Sequence, residues 1–182
     1  YMSNRNGDLE YCRGKCEGKI MDKLISWNLE SDEMAEGRFQ GNIICGEDGD
    51  DLTIYIDRVA SGRFEEMKEY AEKCAAFLNA IPNNMIDEIC TGIAESAKGV
   101  GLNKDFVMPE LDDVRGILDY CWMTTVYVAG APDKDDEISF IVEGEGEWGE
   151  VIGFVILRGE LYYVGVEYME EALTNKEFKQ VY

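Results

Sequence analysis

The chain has 182 residues, 46% of them hydrophobic and 30% charged, with only three prolines. That composition excludes collagen-like and wholly disordered classes and is enough for one sizeable core. Its 17 Lys and Arg against 38 Asp and Glu give a formal net charge of −21, with no histidine. Such a field repels nucleic-acid phosphate and anionic lipid, so neither is an expected partner. No apolar run approaches the about 20 residues of a membrane helix, and the N-terminal stretch carries no signal-peptide core. A soluble, cytoplasmic protein is the expectation.

Residues 1–21 read as a flexible polar lead-in, and residues 22–182 as one α+β domain. In the lead-in and just after it, Arg5, Arg13, Lys15, Lys19 and Lys23 are offset by Asp8, Glu10, Glu17 and Asp22, so they form no phosphate-binding stripe. Period-two alternation from Leu24 to Glu30 predicts a first strand. Arg38 to Cys45 and Leu52 to Asp57 predict two more, separated by the acidic Gly46–Asp51 turn and forming an antiparallel meander. The period then changes to about 3.6. Phe64, Met67, Ala71, Cys74 and Leu78 mark one helix, opened by Ser61 or Gly62 and stopped by Pro82. Ile86, Ile89, Cys90, Ile93 and Ala97 mark a second, starting at Asn83 or Asn84 and closing on Lys98 and Gly99.

Pro109 to Val114 reads as a short helical turn. Four strands follow: Trp122–Val128, Glu137–Glu143, Val151–Leu157 and Leu161–Val166. Arg158-Gly159-Glu160 makes the tight hairpin between the last two, and Met169–Tyr182 reads as terminal helix. The expected fold is therefore a mostly antiparallel sheet of about seven strands, three N-terminal and four C-terminal, packed by two central amphipathic helices. Trp27 and Trp122 lie within strands and are expected in the core.

Without histidine there is no Ser-His-Asp or Cys-His pair and no imidazole metal ligand. The serines show no S-x-x-K spacing or G-x-S-x-G elbow, and no phosphate-binding G-x-x-x-x-G-K loop is present. Gly99-Val100-Gly101 follows a helix and reads as a cap. Cys74 and Cys90 fall on helical apolar stripes, and Cys45 and Cys121 in or beside strands, as reduced core thiols. Cys12 and Cys16 lack the other half of a zinc site. Neither a cofactor nor a metal is expected. The acidic runs Gly46–Asp51 and Asp133–Glu137 lack the calcium-loop order and read as turns.

Glu143-Gly144-Glu145-Gly146-Glu147-Trp148-Gly149-Glu150 is the most distinctive segment. Extended, it places Glu143, Glu145 and Glu147 on one side with glycines opposite, beside an indole. Either this is a docking edge for Lys or Arg of a partner with Trp148 as anchor, or a glycine-rich loop whose tryptophan tucks under the sheet. The candidate contacts are Glu143, Glu145, Glu147, Trp148 and Glu150, with Asp48, Asp50 and Asp51 behind them. No catalytic residue stands out.

Phe39-Gln40-Gly41-Asn42-Ile43, Leu52-Thr53-Ile54-Tyr55-Ile56 and Ala76-Phe77-Leu78-Asn79, with Ile138–Glu143, Trp148–Gly153 and Tyr163-Val164-Gly165, resemble a group of uncharacterised bacterial α+β domains. The resemblance covers most of residues 24–167. Members of that group are often regarded as immunity proteins of polymorphic toxin systems. The resemblance thus implies a small cytosolic protein that binds and blocks a toxin. Where such domains often carry an acidic-histidine-glycine turn, this chain has Gly146-Glu147-Trp148-Gly149. The expected function is a non-enzymatic, acidic protein-binding domain that captures a cationic partner such as a toxin. The alternative is a carboxylate-based, divalent-metal-dependent hydrolase.

Overall fold

The computed structural model describes residues 24–29, 34–41, 51–57, 63–99, 105–128 and 138–165. The expected lead-in with Cys12 and Cys16, Cys45, Asp48, Asp50, the Asp133–Glu137 run and the terminal helix from Met169 lie outside the described residues. The fold is α+β. Seven strands form one sheet in chain order: β1 (Ser26–Asn28), β2 (Met34–Gln40), β3 (Asp51–Asp57), β4 (Cys121–Tyr127), β5 (Phe140–Gly146), β6 (Val151–Leu157) and β7 (Glu160–Gly165). All neighbours pair antiparallel except β3 and β4, which run parallel with Thr53 opposite Thr125. A parallel pair needs a long crossover, and the helices occupy it.

These are α1 (Phe64–Asn79), α2 (Asn83–Gly99) and a 3-10 helix (Val114–Tyr120), so the sheet carries three helical elements among the described residues rather than two. The additional turn was expected earlier, from Pro109 to Val114. It forms where the Asp113 carboxylate accepts the Arg115 N–H at 2.9 Å and satisfies an otherwise orphaned donor. β2 also begins earlier than expected, because Ala35, Gly37 and Phe39 alternate inward toward the core.

All three helical elements pack toward one face of the sheet. Met67, Ala71, Cys74 and Leu78 of α1, with Ile86, Ile89, Cys90 and Ile93 of α2, meet Leu52, Ile54, Ile56, Val142, Phe154 and Ile156 in a single buried cluster. α2 approaches β7 so closely at Gly92 that a Cβ there would lie 2.6 Å from that of Val164. Three of the expected core thiols are free and buried: Cys74, Cys90 and Cys121. Burial pushes them up, to about 12, 11 and 12 respectively, so they stay protonated and unreactive at neutral pH.

Polar ties fix the layers. Tyr70 of α1 donates to the Ser139 carbonyl at 3.2 Å and accepts from the Ser139 N–H at 2.8 Å, while Ser139 Oγ accepts from the Arg158 N–H at 3.0 Å. The expected hairpin turn forms at Arg158 and Gly159, with φ of 55° and 76°, but it is one residue shorter than expected, because Glu160 already pairs with Leu157 in β7. Glu72 caps the start of the edge strand β1 by accepting from the Leu24 and Ile25 N–H groups. Among the described residues no helix is long and apolar enough to cross a membrane.

Candidate functional site

The second face of the sheet, away from the helices, is organised in cross-strand rows. Glu36, Tyr55, Tyr127, Ile141, Val155 and Tyr163 are successive register partners across β2 to β7. Within this row Tyr55 and Tyr127 stack at 6.2 Å, and Ile141 and Val155 form a small second apolar cluster with Tyr127, Leu157 and Tyr163. The next row holds Arg38, Thr53, Thr125, Glu143, Gly153 and Gly165. Beyond it, Trp122 faces Glu145, which faces Val151.

Glu143 and Glu145 therefore project from the same side of β5, as the alternation requires, with Gly144 and Gly146 on the helix side. Glu147 is exposed in the turn that follows, and Glu150 is half-buried just before β6. Asp51, exposed, starts β3 on the same face as Thr53 and Tyr55. Because β3 and β4 run parallel and β5 antiparallel to β4, the starts of β3, β4 and β6 and the end of β5 coincide at one end of the sheet. The fold brings Asp51, Glu143, Glu145, Glu147 and Glu150 to that end. Asp48 and Asp50 lie outside the described residues.

Trp148 takes the other course open to it. It is 1% exposed and tucked under the sheet, 6.1 Å from the Phe106 ring. Its indole lies directly across Gly146, where any Cβ would collide with it. Gly149, at φ 86°, turns the chain back; its N–H donates to the Gly146 carbonyl, and the Glu147 N–H donates to the Tyr120 carbonyl. Trp148 thus supports the acidic turn from below and presents no surface to a partner.

The exposed indole at this end is Trp122, 38% exposed, contrary to the core position expected for it. The cause is a β-bulge between Met123 and Thr125. Trp122 shares sequence parity with Val126 and Val128, both buried, but the extra residue reverses the phase. Cys121 and Met123 point inward, and Trp122 points outward beside Glu145. Val151, 37% exposed, completes an apolar strip around the carboxylate. Trp27 is half-buried against the core.

The Glu143 carboxyl is held above the usual carboxylate range, chiefly by burial; a hydrogen bond from Tyr127 opposes the shift and the charge of Glu145 adds to it. Its Oε2 is buried with no hydrogen-bond partner among the described residues. Arg38 lies on this face in the same row as Glu143, three strands away, and pairs with Glu36 at 3.2 Å. Among the described residues no group of three or more His, Cys, Asp or Glu side chains could hold a metal ion. Asp51, Glu143 and Glu145 share one face at this end, with Glu147 and Glu150 in the adjoining turn, an arrangement suited to a broad surface contact. No family model matches the chain, and no curated protein or solved structure matches it either.

Proposed function

We propose that the protein is a non-enzymatic binding domain whose acidic sheet end captures a cationic protein, in the manner of an immunity-type inhibitor that blocks a basic toxin. The observation that carries this reading is the convergence of Asp51, Glu143, Glu145, Glu147 and Glu150 beside exposed Trp122 and Val151, on a chain of net charge −21. Charge of one sign around an exposed aromatic is the anatomy of a contact that gains its on-rate from steering and its residence from apolar burial. A basic nuclease, which must hold phosphates, presents the complementary surface.

The test is affinity capture from a lysate of the source organism, with wild type and an Asp51→Asn, Glu143→Gln, Glu145→Gln, Glu147→Gln variant in parallel. One basic protein retained at stoichiometric level, released by salt and lost with the variant, is the expected outcome. The same variant should also slow association with that protein and flatten its salt dependence. Capture indifferent to both salt and the substitutions would overturn the charge-led reading.

A further inference from the structure

Trp122 and Glu145 are register partners on neighbouring strands and project from the same face. Directly opposed side chains in such a pair stand about 5 Å apart at Cβ. Trp122 is exposed over part of its ring, and Glu145 is exposed. On the same strand face, about 7 Å along, stands Glu143, whose charge and that of Glu145 repel. Asp51 adds a further negative charge at the same end. An exposed indole beside a carboxylate offers a cation two things at once: a π surface and a hydrogen-bond acceptor.

From this juxtaposition we infer that the docking surface is anchored by an arginine of the partner, its guanidinium stacked on the Trp122 indole and its edge paired with the Glu145 carboxylate. The inference rests on the docking reading above and specifies its cation. A guanidinium is planar, weakly hydrated and donates in a fork, so it uses the ring and the carboxylate at once. An ammonium is compact and strongly hydrated; it satisfies the carboxylate but gives up most of the stacking. The neighbouring charges of Glu143 and Asp51 attract either cation and do not discriminate, so the preference lies with Trp122.

The experiment uses two short fluorescein-labelled peptides, identical except for arginine or lysine at every cationic position, titrated by anisotropy against the full chain at low salt. The arginine peptide should bind about tenfold more tightly. Trp122→Ala should erase that ratio while leaving the lysine peptide's affinity within about twofold, and Trp122→Phe should keep part of it. Glu145→Gln should weaken both peptides. Equal affinity for the two peptides, or a preference that survives Trp122→Ala in a variant with an unchanged thermal melt, would overturn the anchor. Salt-dependent binding of both peptides would then leave the docking reading standing. Binding of neither peptide would overturn anchor and docking reading together.

Discussion

The two faces of one sheet use the same strands for opposite purposes. On the helix side, Leu52, Ile54, Ile56, Val142, Phe154 and Ile156 are sealed by α1 and α2. On the other side, the middle row from Tyr55 to Tyr163 is aromatic and aliphatic, while the end row mixes carboxylates with exposed apolar groups. Burial therefore falls in steps: complete under the helices, nearly complete at Val155 with 2% exposure, and incomplete at Trp122 and Val151. The hydrophobic effect accounts for the first two. The partly exposed Trp122 and Val151 beside Glu145 are the groups that the proposed binding reading uses.

That division can be broken at several points. Phe154→Ala, on the sealed face, should cost about 3–5 kcal/mol in denaturant unfolding. A loss below about 1 kcal/mol would mean that the helix layer packs more loosely than the burial indicates. Gly146→Ala forces the Trp148 ring away from the sheet and should cost about 1–3 kcal/mol. It should also change the Trp fluorescence as the indole meets water; an unchanged emission would show that the ring does not lie across Gly146. Trp122→Ala should cost less than about 1.5 kcal/mol, since the ring already stands partly in solvent. A larger loss would return Trp122 to the core.

The smallest effect has the sharpest sign. Burial raises the Glu143 carboxyl above its unfolded value, so the folded state binds this proton more tightly than the unfolded chain. Its contribution favours folding at low pH and is lost as the pH rises through the folded value. Glu143→Gln should therefore raise the Tm at pH 7, with the gain vanishing below about pH 4, where the unfolded carboxyl is also protonated. A lower Tm at pH 7 would show that the carboxylate is stabilised by its surroundings.

The fold class, both long helices and the Arg158-Gly159 hairpin were legible because each rests on local periodicity or turn chemistry. The sidedness of the acidic segment was legible for the same reason, since Glu-Gly alternation puts Glu143 and Glu145 on one side, although the strand expected to end at Glu143 runs from Phe140 to Gly146. What escaped depends on partners distant in the chain. The parallel joint between β3 and β4, which brings Asp51 to the acidic end, leaves no local mark in either strand. The bulge near Thr124 reversed Trp122, since alternation read without the extra residue aligns it with Val126. Strand membership alone therefore pointed to the wrong face. For Trp148 the sequence leaves two courses open, anchor or tuck under the sheet, and the close approach of its ring to Gly146 decides for the second.

The joint between β3 and β4 has a consequence for how the chain folds. Each of β1 to β3 and β4 to β7 is a set of hairpins between near neighbours in sequence, which close with little loss of loop entropy. The parallel contact from Thr53–Tyr55 to Thr125–Tyr127 forms only when the chain has first been gathered through α1 and α2. The two halves should thus assemble early and separately, with their union setting the folding rate. The aromatic stack of Tyr55 on Tyr127, which spans that union, is placed to report the last step.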